Sequence, residues 1–207
     1  MADKRVLMVE GTDDEHVVKS ICGQYQLGTI HTIRRCEGKD ALIEAISVRI
    51  KESDINSLGI ILDADKDIQA SWQSVFEKLK SAGYTDLPKF PDPAGTLVLP
   101  PHNTLLPKVG IWLMPDNQLP GILEDFLAFL VPMGDSLLEH ARSSIENMPE
   151  QPRFSKPKAP KALIHTWLAW QEEPGKPLGQ AMTARYLDHS LPLGRVFAGW
   201  LQKTFFS

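Results

Sequence analysis

Three aspartates spaced two apart close a short apolar run in Gly59-Ile60-Ile61-Leu62-Asp63-Ala64-Asp65-Lys66-Asp67. Alternate side chains of an extended chain share a face. Asp63 and Asp65 would therefore converge if the strand continued, with Asp67 falling in the loop beyond. Carboxylates gathered at the end of a buried strand repel one another unless a cation or protons intervene. Hard divalent ions take oxygen ligands, so the stretch points to Mg²⁺ or Mn²⁺, one ion or two. The plainer alternative is a strand that ends in a polar turn. A second acidic turn favours the metal reading: Glu10-Gly11-Thr12-Asp13-Asp14 follows the apolar residues 6–9.

The elements around these turns read as alternating strands and helices. Residues 5–9 form a buried strand, and Thr12 or Asp13 can cap a helix over 14–24. A second strand fits 28–34, an amphipathic helix 39–51, the third strand ends at Asp63, and a helix over 69–82 stops at Gly83. Short links between them predict an α/β fold with a mostly parallel sheet flanked by helices. Apolar runs at 95–99 and 109–114 add strands across a proline-rich wide turn, and 115–121 is loop. Helices are expected over 122–131, 135–147, 161–171, 178–188 and 193–206. This gives a core at 1–132 and a C-terminal helical extension at 133–207, with a linker at 149–160 that holds four prolines.

In a parallel sheet, the turns after the first and third strands lie on the same edge, where ligand crevices form. Neighbouring strands are about 5 Å apart, so Glu10, Asp63 and Asp65 could share one or two cations. Gly11 would let the backbone turn and a phosphate approach, and Asp14, one helical turn on, reaches the same pocket. Two ions bridged this way would stabilise both the attacking and the leaving oxygen of a phosphodiester. Glu124 and Asp125 stand in the first turn of a later helix, where acids also suit the helix dipole.

Val9-Glu10-Gly11-Thr12-Asp13-Asp14 together with Ile61-Leu62-Asp63-Ala64-Asp65 resembles the Toprim domain over roughly residues 4–130. It is most similar to the Toprim of the overcoming-lysogenization-defect (OLD) nucleases. The segments 114–126 and 161–170 are also similar to a bacterial Toprim-like family without an assigned activity. The resemblance implies Mg²⁺-dependent phosphoryl transfer on nucleic acid, DNA or RNA, and a role in phage defence or DNA repair. It makes Glu10 a metal ligand and general acid or base, and Asp63 and Asp65 metal ligands. Asp14 would serve a second ion, completed by Glu124 or Asp125. OLD nucleases carry an ATPase domain. Gly38-Lys39-Asp40 is no Walker A loop, because Ile33 stands where its first glycine should and Asp40 replaces the hydroxyl residue. The chain would act without ATP or with a partner ATPase.

Arg153, Lys156, Lys158 and Lys161 lie in a stretch without acids and could grip phosphates. Lys161 opens a helix and could stabilise charge developing on a phosphate near the metal. Otherwise the stretch is a solvated loop. The six histidines lack metal-ligand spacing, and Trp167 and Trp170 read as core residues. A net charge of −4 argues against a broadly basic nucleic-acid coat while leaving room for a local basic patch. Cys22 and Cys36 make neither a disulfide framework nor a CxxC pair. With a first apolar stretch too short for a signal peptide and no run of transmembrane length, a cytoplasmic location without membrane contact is expected.

A receiver domain needs adjacent acids where Gly11 stands and a lysine where 114–116 reads Met-Pro-Asp. A haloacid-dehalogenase-like phosphatase needs its Asp-x-Asp on the first strand. The remaining alternative is a non-catalytic Toprim-like binding or regulatory module.

Overall fold

Apolar residues alternate between two faces along each central strand, and both faces are buried. The computed structural model describes residues 4–207, so residues 1–3 of the expected core lie outside the described residues. The strands are β1 (Lys4–Val9), β2 (Thr32–Arg35), β3 (Ile55–Asp63), β4 (Thr96–Val98) and β5 (Lys108–Met114). They form one sheet in the order β2-β1-β3-β5-β4. The first four in that order are parallel, and β4 runs antiparallel to β5. Succession from β1 passes to β2 on one side and then to β3 on the other, so the topological switch lies between β1 and β3.

One face of the sheet presents Val6, Met8, Leu58, Ile60, Leu62, Ile111 and Leu113. It is covered by α2 (Lys39–Arg49) and α3 (Ile68–Ala82), which bury Leu42, Ile46, Trp72, Val75 and Leu79. The other face presents Leu7, Val9, Ile61, Trp112 and Met114 to α1 (Thr12–Gln24) and to a set of C-terminal helices. Those helices are α4 (Leu123–Ala128), α5 (Ser136–Glu146), α6 (Ala159–Leu168), α7 (Leu178–Thr183) and α8 (Pro192–Phe205). No helix among the described residues is long and apolar enough to cross a membrane.

The helices after residue 132, expected as an extension, build much of this second face. Phe197, Trp200, Leu201 and Phe205 of α8 are buried, with Trp112 and Phe126 in ring contact with Phe197. An apolar strand face cannot be left wet, and α8 is what covers it. Contact between α8 and the sheet is close because glycines stand beneath the helix. A Cβ on Gly59 would sit 2.5 Å from the Phe205 ring, and one on Gly110 would sit 2.2 Å from Thr204 Oγ1.

Element boundaries differ from the sequence expectation where local backbone decides. Strand β2 starts at Thr32 rather than 28, since β1 pairing begins at Val6 with Thr32. Helix α7 stops at Thr183 short of the expected 188, and Arg185 follows in the left-handed region at φ 63°. The proline-rich stretch 149–160 closes in a single 3₁₀ turn, Lys156–Lys158, that runs straight into α6, with a proline in the first turn of each. Trp167 is buried as expected, whereas Trp170 is 39% exposed and lies against His140 with ring centroids 5.1 Å apart.

Replacing glycine by alanine at an unstrained position usually stabilises a protein slightly through the unfolded chain. At Gly110 the contact with α8 reverses the sign. Gly110→Ala is expected to lower unfolding free energy by about 1–3 kcal/mol, read as a lower urea midpoint at unchanged slope. A midpoint equal to or above wild type would show that α8 does not press on β5.

Candidate functional site

Strands β1 and β3 lie side by side, and Glu10 is the first residue past β1. Its Oε1 accepts the backbone N–H of Asp63 at 2.7 Å, joining the ends of the two strands at the topological switch. Asp63, the last residue of β3, continues the face that carries Gly59 and Ile61. Its Oδ1 accepts the N–H of Leu123 at 3.0 Å, the first residue of α4. The loop between β5 and α4 is held over the same edge, since Ala64 N donates to Met114 O at 3.1 Å and Asp65 N to Gly121 O at 2.8 Å.

Asp14 enters from the first turn of α1, 8% exposed, and Glu124 from the first turn of α4, 5% exposed. Asp14 Oδ2 accepts the N–H of Gly11 at 3.0 Å, so the helix is capped from inside rather than by Thr12 or Asp13. Gly11 itself has φ −145°, and a Cβ there would make only ordinary contact with Asp14 at 3.6 Å. The turn thus does not require glycine, contrary to the expectation. Lys161 reaches Glu124 Oε1 with Nζ at 3.3 Å, which brings the expected basic residue to the cluster.

Burial and mutual repulsion govern the charge of these acids. Burial raises Asp63 to about 9, and Glu10, Asp14, Asp65 and Glu124 push it in the same direction. Burial raises Asp14 to about 7 against its bond from Gly11, with Glu10 and Glu124 adding to the rise. Glu10 is raised as well, chiefly by burial.

Asp65 and Asp67 do not join Asp63, because the strand ends before them. Asp65 sits in the left-handed region at φ 57° and directs its carboxylate to Lys39, Oδ2 to Nζ at 2.6 Å. Asp67 caps α3 by accepting the N–H of Ala70 at 3.0 Å. Asp125 is likewise a cap, its Oδ2 accepting the N–H of Ile122 at 2.9 Å. Of the two acids expected from the α4 turn, Glu124 is the one whose charge bears on Asp14 and Asp63.

A cleft of about 590 Å³ opens beside the cluster, walled by Lys39, Asp65, Asp125, Lys156 and Pro160 among others. Glu10, Asp14, Asp63 and Glu124 do not line it, and neither do Arg153 and Lys158. Lys156 is therefore the one residue of the expected phosphate-gripping set that faces the cleft. Lys39 was not expected at the site. Its signal was available in the sequence as a lysine that opens α2 at the same sheet edge as the acids.

Among the described residues, no three acids, histidines or cysteines close on one point as a ready cage for a metal ion. The donor set nonetheless suits a hard cation. Glu10 and Asp63 each hold one oxygen on a backbone N–H and keep the second without a hydrogen bond among the described residues. Mg²⁺ commonly takes one or two carboxylates and fills its shell with water and phosphate oxygens. Crowded acids held above their usual range are also what a cation would relieve.

A family model described as a protein of unknown function (DUF3226) matches residues 4–206, and the chain belongs to that family. No curated protein and no solved structure matches it.

The fold binds protons on Asp63 that the unfolded chain releases, between the ordinary 3.8 and about 9. Without added cation, the stability tied to this group is full below the lower value and is lost as pH rises through that window. Asp14 adds a loss between 3.8 and about 7. Melting temperature without divalent ions should therefore fall from about pH 5 to about pH 9, and more gently in Asp63→Asn. Equal slopes for the two proteins would contradict the burial of an ionisable Asp63.

Proposed function

We propose that this member of the DUF3226 family is a Toprim-like, divalent-metal-dependent enzyme acting on phosphodiesters of nucleic acid, most simply a nuclease. The observation that carries the reading is the meeting of Glu10 and Asp63 across neighbouring strand ends. Asp14 lies buried within electrostatic reach of both, and Glu124 lies buried within reach of Asp63 and Asp14. Order along the chain supports the finer fold reading: an acid after the first strand and an Asp-x-Asp after the third.

Glu10 and Asp63 would hold the ion, Mg²⁺ or Mn²⁺, with Asp65 joining them once it leaves Lys39, and Asp14 and Glu124 would serve a second. When bound, such an ion lowers the pKa of a coordinated water and offsets charge on the phosphate. Glu10, whose carboxyl burial holds above its ordinary range, stands at the strand end where a proton would be exchanged with the substrate. Lys161, with its side chain 53% exposed beside Glu124, can meet a phosphate oxygen from the solvent side. Lys156 on the cleft wall, with Arg153 and Lys158 exposed nearby in sequence, would contact flanking phosphates. Phage defence or DNA repair and a partner ATPase accompany this reading through the Toprim resemblance, and the free thiols of Cys22 and Cys36 support a cytoplasmic setting.

A second reading, a binding module without turnover, draws on the pairing of Asp65 with Lys39, which engages one of the expected ligands. Cleavage of mixed DNA and RNA substrates in Mn²⁺ separates the two. Glu10→Gln and Asp63→Asn should each lower the rate on the order of 100-fold with circular dichroism unchanged. Metal-dependent cleavage that is equal in all three proteins, or absent from wild type, would overturn the enzymatic reading.

A further inference from the structure

Lys39 follows Gly38 directly at the start of α2, and its side chain turns into the sheet edge. Nζ donates to Asp63 O at 2.9 Å, to Asp65 Oδ2 at 2.6 Å and to Ser71 Oγ at 2.7 Å. An ammonium has three protons, and all three are used. Ser71, buried on α3, lies within hydrogen-bond reach of the carbonyls of Ala64, at 2.9 Å, and Asp67, at 3.0 Å. One cation thus ties together the last carbonyl of β3, the carboxylate of the turn after it and the first turn of α3. The Lys39 side chain is 22% exposed and that of Asp65 52%, so the pair is sheltered on the lysine side and open to solvent on the carboxylate side.

The turn it holds is not a relaxed one. Asp65 is a non-glycine residue at φ 57°, a region that L side chains populate sparsely. Two interactions fix it there: its N–H on Gly121 O and its carboxylate on Lys39. Asp65 also adds to the repulsion on Glu10 and Asp63, and the Lys39 charge lowers Glu10.

We propose that Lys39 is the resident counter-ion of this acid cluster, and that divalent loading proceeds by release of Asp65 from Lys39. The proposal rests on the metal-dependent reading above. A carboxylate oxygen engaged by an ammonium cannot give the same charge to a second cation, and two cations at one edge repel. Lys39 is then a positioning residue. It keeps the turn formed and the acids together in the ion-free protein, and it weakens divalent binding until it moves away.

Titration of the full chain with Mn²⁺, followed by the paramagnetic resonance of the unbound ion, tests this. Lys39→Gln removes the charge and keeps N–H donors for Asp63 O and Ser71. It should bind Mn²⁺ roughly tenfold tighter than wild type, and the gain should vanish in the Lys39→Gln, Asp65→Asn double variant. Affinity equal to or weaker than wild type in a folded Lys39→Gln would overturn the proposal. So would a gain that persists without Asp65.

A measurement on wild type needs no variant to fold. Amine labelling by acetic anhydride, read by mass spectrometry, should increase several-fold at Lys39 when Mn²⁺ is added. Mn²⁺ binding with unchanged labelling at Lys39 would sink this proposal and leave the metal reading standing. No Mn²⁺ binding at all would sink both.

Discussion

Like charges crowded into a dry place are the constraint that shapes this molecule. Glu10, Asp14 and Glu124 all press electrostatically on Asp63 where β1 and β3 end, on a sheet buried on both faces. Two unit charges 4 Å apart repel by about 4 kcal/mol at an effective dielectric of 20. That is a large share of the roughly 5–15 kcal/mol that holds a domain together. The structure meets the repulsion with backbone N–H groups from Asp63, Gly11 and Leu123, and with Lys161 and Lys39 at the margins. These offsets are partial, since Asp63 and Asp14 remain well above the ordinary carboxylate range.

The C-terminal half creates the dryness. Helix α8 lies across β3 and β5 at Gly59 and Gly110, sealing the face on which Ile61 and Asp63 sit. Helix α4 brings Glu124 and the N–H that holds Asp63, and α6 carries Lys161 to Glu124. The helices that bury the apolar sheet face are thus also the ones that complete and partly neutralise the acidic edge. The family match over residues 4–206 spans both halves, in keeping with one cooperative unit.

The acids divide by the partner that each carboxylate meets. Asp67 and Asp125 serve helix starts, and Asp65 serves Lys39. Glu10 ties the end of β1 to β3 through the N–H of Asp63, and Asp63 ties β3 to the start of α4 through the N–H of Leu123. Asp14 combines both roles, capping α1 from a buried position inside the cluster. This division turns on which N–H or ammonium each carboxylate meets, which spacing along a chain cannot convey.

Local pattern was enough to read much of the fold. Short continuous apolar runs marked β1, β3 and β5, apolar residues at helical spacing marked α1 and α2, and Gly83 marked the end of α3. The placement of Glu10 and Asp63 on one edge was legible too, since parallel strands joined by helices must end on the same side. Three things came only with the tertiary structure: the seating of α8 on the sheet, the turning of Asp65 to Lys39 and the selection of Glu124 over Asp125. Each depends on which residues distant in sequence become neighbours. A lysine after a glycine and an aspartate after a strand carry no mark of each other until the packing of α2 against α3 sets them 2.6 Å apart.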